Sequence, residues 1–85
     1  MKEIKYVITD ENGIHARPAG ILVKKAKEFN SNIKITKVGK SADAKKLFNV
    51  MGLAVKQGDE IIVTIDGEDE NTATQELQEF LSNNL

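Results

Sequence analysis

The sequence predicts an α+β fold in which three helices lie on one face of a mostly antiparallel four-stranded sheet, an open-faced sandwich. Three observations carry that expectation. Apolar residues alternate with period two in three short runs, as half-buried strands require, and a short polar run suits a fourth strand at the sheet's edge. Between and after them lie three runs with apolar residues at helical spacing. The order is strand, helix, strand, strand, helix, strand, helix. At 85 residues, 40% hydrophobic and 29% charged, the chain suits one ordered domain over residues 1–85. A chain of this size buries roughly 60–65% of its unfolded surface, enough for one core shared by sheet and helices.

The first strand is expected over Lys2–Thr9, with Ile4, Tyr6 and Ile8 facing one way. Asp10-Glu11-Asn12-Gly13 reads as a turn, because Asn and Gly both tolerate positive φ. From Ala16 the period changes, and Ala19, Leu22, Val23, Ala26 and Phe29 form the stripe of an amphipathic helix. Pro18 suits its first turn, where a missing N–H costs nothing. Ile33 and Ile35, with Lys37 in the same phase, mark a second strand, and Gly39-Lys40 a tight connection. Ser41–Ala44 is expected as a short polar edge strand.

Leu47, Val50, Met51 and Ala54 predict about two turns of helix, with Phe48 off the buried line. Glu60–Asp66 is the clearest strand, with Ile61, Val63 and Ile65 on one face. After a turn at Asp66-Gly67, Asp69 is placed to cap the last helix and Glu70 to favour its positive end. Ala73, Leu77, Phe80 and Leu81 are its expected buried stripe.

Composition narrows the function. A net charge of −1 offers no global attraction to nucleic acid or an anionic membrane. Four aromatic residues and no coherent basic stripe argue against nucleic-acid binding. One histidine and no cysteine make a metal centre improbable, and no cofactor is expected. The opening Met1-Lys2-Glu3-Ile4 lacks the apolar region of a signal peptide, and no apolar run reaches the roughly 20 residues of a membrane span. A cytoplasmic protein is therefore expected.

The chemistry concentrates in Asn12-Gly13-Ile14-His15-Ala16-Arg17-Pro18-Ala19. The only histidine, arginine and proline of the chain fall there within four consecutive positions. A helix start offers unpaired backbone N–H groups and about half a unit of positive charge, which together suit an anion. The N–H groups of Ala16 and Arg17 are the expected donors. An imidazole, with an ordinary pKa of roughly 6.5, presents a neutral nucleophilic nitrogen near neutral pH. Arg17 adds a permanent cation that engages phosphate oxygens in a fork. Taken singly, the same residues suit a surface histidine, a solvated charge and a helix starter. Their order at a helix start is what favours phosphoryl handling.

The motif Gly13-Ile14-His15-Ala16-Arg17-Pro18-Ala19 resembles the active-site motif of the HPr family, the histidine-containing phosphocarriers of the bacterial phosphoenolpyruvate-dependent sugar phosphotransferase system. The likeness extends over essentially the whole chain, including Lys40, Val50-Met51-Gly52-Leu53, and Gly67 with Asp69-Glu70. It implies the strand order 1-4-2-3. It also implies that Nδ1 of His15 accepts a phosphoryl group from enzyme I and passes it to the IIA domain of a sugar permease, the chain being a carrier and not an enzyme. Arg17 is implied as the charge partner that settles the group and moves during transfer.

The resemblance places Ile21 and Phe48 near His15 and, with Leu47, where partners dock; Asn12, Gly20, Lys24, Lys27, Lys46 and Met51 are further candidates for that surface, and a monomer is expected. Lys24, Lys27, Lys45 and Lys46 are candidates for a positive rim that steers an acidic partner, or for ordinary solubilising charge. In one respect the chain departs from the pattern. Where many Gram-positive members carry a regulatory serine at the start of the second helix, this chain has Lys46, so that phosphorylation is expected to be absent. Lys46 would also lie in that helix's first turn, where a cation is unfavourable. Two alternatives stay open: a purely regulatory binding module on the same fold, and a carrier of a nitrogen-related phosphotransfer branch.

Overall fold

The computed structural model describes all 85 residues. Its elements are β1 (Lys2–Val7), α1 (Ala16–Ala26), β2 (Asn32–Lys37), β3 (Lys40–Asp43), α2 (Leu47–Gly52), β4 (Glu60–Asp66) and α3 (Glu70–Asn84). The sheet order is β1-β4-β2-β3, and every neighbouring pair is antiparallel. The register explains why the apolar alternation works. Ile4 pairs with Val63, Val63 with Ile35 and Ile35 with Ala42, so one buried row crosses all four strands. Ile33 beside Ile65, and Tyr6 beside Ile61, extend the same face. Ala19, Leu22, Val23 and Ala26 of α1 and Ala73, Leu77 and Leu81 of α3 complete that core, as the helical spacing predicts. Phe80, expected in the stripe, is half-buried at its margin.

The opposite face of the sheet carries Glu3, Thr64, Lys34 and Asp43 in one row and Lys5, Ile62, Thr36 and Ser41 in the next. Its mixed charge and hydroxyls explain how a sheet can leave one face open to water. No helix is long and apolar enough to cross a membrane.

Several boundaries move, each for a local reason. β1 ends at Val7 because Ile8 pairs with the loop before β4: its N–H donates to Asp59 O at 3.0 Å and its carbonyl accepts from Gly58 at 2.9 Å. The N–H groups of Thr9 and Asp10 turn to the Leu85 carbonyl, at 2.6 and 2.9 Å. The β2–β3 connection is Val38-Gly39 rather than Gly39-Lys40, with φ of +46° and +79°, and β3 accordingly begins at Lys40. That is the two-residue hairpin geometry in which both central residues are left-handed. Val38 holds it at a cost of about 1–2 kcal/mol, and with 91% of its surface exposed it gains no packing in return.

α2 is shorter than its spacing suggests. It stops at Gly52, and Ala54 takes a left-handed φ of +52° that reverses the chain. Leu53 and Val55 are thereby buried, whereas Ala54 is exposed and Met51, expected in the buried stripe, remains 36% exposed. Lys46 precedes the first helical residue rather than lying in the first turn. Asp69 likewise does not cap its own helix. Its carboxylate accepts the N–H of Asn30 at 2.8 Å, the N–H of Ser31 at 3.0 Å and the Ser31 hydroxyl, tying the α1–β2 loop to the loop before α3.

Candidate functional site

His15 is the residue immediately before α1, in extended backbone (φ −101°, ψ −174°). Its carbonyl accepts the Ala19 N–H at 2.9 Å, which starts the helix, while its ring is exposed and makes no hydrogen bond. The N–H groups of Ala16 and Arg17 have no acceptor, and Pro18 has no N–H to offer. No acidic residue stands in the first turn of α1, so the helix's positive end is not neutralised from within. Pro18 and Ala19 are buried and anchor this turn to the core. Arg17 is exposed and engaged in no ion pair. An anion bonded to the His15 ring would therefore meet two free amides, a helix dipole and an unpaired guanidinium.

The turn before His15 is tightly made. The Asp10 carboxylate accepts the Asn12 N–H at 2.8 Å, and the Asp10 carbonyl accepts the Gly13 N–H at 2.9 Å. The Ile14 N–H donates to Val55 O at 3.1 Å, and the Ile14 side chain is buried. Gly13 has φ +65°, and a Cβ on it would lie 2.2 Å from Val55 O. His15 thus projects between a buried residue and a core-anchored helix, with little freedom in its backbone. Sequence reasoning missed Ile14 and Val55. An apolar residue inside an otherwise polar turn was the available signal for the first; nothing local marked the second.

The other candidate residues lie on or beside α1 and α2, two helices that pack against each other. Arg17, Gly20, Ile21, Lys24 and Lys27 follow one another along the solvent side of α1 at helical spacing. Ile21 is 46% exposed, and Phe48 on α2 is 83% exposed, with Met51 beside it one turn on. Leu47 is half-buried against the core and Asn12 is exposed on the turn. Gly20 has open space where a side chain would stand. Lys24, Lys27 and Lys46 are exposed and make no ion pair, but Lys45, the fourth lysine of the expected rim, and the neighbouring Lys25 are committed elsewhere. Lys45 Nζ donates to Phe29 O at 2.7 Å, and Lys25 bridges to Glu76 of α3 at 2.7 Å. The Glu76 hydrogen bond is the main cause that raises the Lys25 pKa above its ordinary value.

Comparison with known proteins bears on the family and the fold. The family model for the PTS HPr component phosphorylation site matches residues 2–83. The phosphocarrier protein HPr of Mycoplasma capricolum is 42% identical over 81 residues, covering 95% of this chain and 91% of the relative. That of Buchnera aphidicola is 47% identical over 75 residues, covering 88% of each. Among solved structures, the histidine-containing phosphocarrier protein of Mycoplasma superposes with a TM-score of 0.93 at 39% identity, over 96% of this chain and 93% of its own. A sheet of order β1-β4-β2-β3, a histidine at the mouth of the first helix and this breadth of likeness lead to one conclusion: the chain belongs to the HPr family of phosphocarrier proteins of the phosphotransferase system.

Proposed function

We propose that this chain carries a phosphoryl group on His15 between enzyme I and the IIA component of a sugar permease, acting as acceptor and donor rather than as a catalyst. The observation that carries the reading is the exposed, unbonded imidazole beside the free amides of Ala16 and Arg17. In the forward step Nδ1 attacks phosphorus on the phosphorylated donor. The N–P bond forms as the donor's bond to phosphorus breaks, and the electron pair of that bond stays with the donor. The two amides and Arg17 offset charge on the phosphoryl oxygens. Onward transfer reverses the same bonds. Incubation with phosphoenolpyruvate and enzyme I should add one acid-labile phosphoryl group to the wild type and none to His15→Ala. An unlabelled wild type overturns the reading.

Partners would dock on the apolar patch of Ile21, Leu47, Phe48 and Met51, rimmed by Lys24, Lys27 and Lys46, with Asn12 and Gly20 at its margin, the chain acting as a monomer. Phe48→Ala is expected to slow uptake from enzyme I about five- to thirtyfold, since an exposed aromatic anchor contributes on the order of 1–2 kcal/mol. Lys46→Ala should instead flatten the salt dependence of the association rate. Unchanged values for both would remove the patch from the docking surface. Because Lys46 has no hydroxyl, the regulatory serine phosphorylation of some relatives would have no acceptor there. Treatment with HPr kinase and ATP should leave the protein's mass unchanged; a phosphoserine detected in it would contradict this.

A further inference from the structure

The turn before His15 rests on Val55, and Val55 lies in the stretch 53–59 between α2 and β4, which has no regular structure of its own. Ala54, next to Val55, holds a left-handed φ of +52° that residues with a Cβ seldom adopt. One side chain from another element holds this loop. Lys37, the last residue of β2, stands in the helix-facing phase of Ile33 and Ile35, where an aliphatic residue would be expected. Its Nζ donates to Ala54 O at 2.8 Å and lies 2.9 Å from an Asp59 carboxylate oxygen. The same carboxylate oxygen accepts the Lys56 N–H at 2.8 Å. Lys37 and Asp59 therefore grip the loop on both sides of Val55, and β4 begins directly after Asp59.

We infer that Lys37 is a positioning residue for His15: by holding Ala54 and Asp59 it fixes the Val55 carbonyl, which seats the Gly13–Ile14 turn and with it the imidazole. The inference rests on His15 being the phosphoryl acceptor. Lys37 touches neither His15 nor the incoming group, so its effect reaches the site only through backbone. A methionine at 37 would keep most of the aliphatic stem and lose both polar contacts. Arginine would keep a donor for both. Glycine at 54 would accept the left-handed conformation without help and so should make the grip less necessary.

Amide hydrogen exchange separates this role from general stabilisation. In Lys37→Met, the Ile14 amide should exchange about tenfold faster or more, whereas core amides such as those of Ile35 and Leu77 change less. Lys37→Arg, and Ala54→Gly added to Lys37→Met, should each return Ile14 protection toward wild type. Phosphoryl uptake by Lys37→Met should fall in maximal rate with little change in half-saturation, because docking residues are untouched. Should Lys37→Met fail to fold, Asp59→Ala removes one half of the grip and is read in the same way. Ile14 exchange at the wild-type rate, or core amides accelerated as much as Ile14, overturns the inference. Wild type that takes up no phosphoryl group overturns the acceptor role instead, and the exchange comparison still decides whether Lys37 governs the turn.

Discussion

Gly13→Ala is expected to lose about 2–5 kcal/mol of stability and to lower Tm by roughly 10–30 °C, measured by thermal unfolding. Two costs combine. At φ +65° an alanine is strained by about 1–2 kcal/mol, and its Cβ would stand 2.2 Å from Val55 O and 2.8 Å from the Lys56 Cα. Both obstacles are backbone atoms, so no rotamer change relieves them. The two chain segments must part, and the Ile14–Val55 hydrogen bond between them is the first contact to stretch. His15 follows Ile14 directly, so phosphoryl uptake should fall even at temperatures where the variant is folded. Gly39→Ala is the matched comparison, since Gly39 has φ +79° but nothing near its missing side chain. It should carry the strain of about 1–2 kcal/mol and leave uptake unchanged. A Gly13→Ala protein that melts with Gly39→Ala would show that the approach to Val55 is not a real constraint.

The contrast between these glycines marks what the sequence can disclose. Both are legible as turn residues, because turn propensity is local. Only the tertiary structure distinguishes the one that abuts another backbone from the one that faces water. The same division runs through the fold. Alternation and helical spacing place three strands and the three helices, since those periods record which side chains meet a core; β3 is marked instead by its polarity at an edge. Strand order is not recorded that way: Ile33, Ile61 and Ile65 satisfy alternation in several pairings, and the order 1-4-2-3 entered from resemblance. The ends of elements shift where a single backbone angle intervenes. Ala54 continues the apolar spacing of α2 yet terminates it, because it turns left-handed. At the site, His15, Arg17 and Pro18 stand out by adjacency, while their supports do not. Val55, Lys37 and Asp59 are remote in sequence, and they act through carbonyls and a charge whose partners only folding brings near.

Gly67→Ala is expected to cost about 1–3 kcal/mol, a fall in Tm of roughly 5–20 °C, and to change how stability responds to acid. A Cβ at Gly67 would lie 2.6 Å from both the Cα and the hydroxyl oxygen of Ser31. Ser31 is wholly buried and cannot swing away, since its N–H and its hydroxyl both donate to Asp69. Relief of the clash must therefore pull Ser31 from Asp69. That hydroxyl is the main cause holding the Asp69 carboxyl below its ordinary value of 3.8; the Asn30 N–H and then the Ser31 N–H add to it against an opposing effect of burial. A carboxylate depressed on folding contributes stability above its unfolded pKa, and loses it as pH falls through the folded one. Asp59, depressed chiefly by the Lys56 N–H and then by Lys37, acts in the same sense, as does Glu70 through the N-terminal ammonium and the Gly67 N–H. Wild type should thus lose stability steadily from about pH 4 downward. In Gly67→Ala the contribution of Asp69 is already reduced, so its curve of Tm against pH should be shallower and approach that of wild type in acid. Curves that stay parallel would mean that Asp69 keeps its partners in the variant, and that the Ser31–Gly67 contact is not what holds the α1–β2 loop against α3.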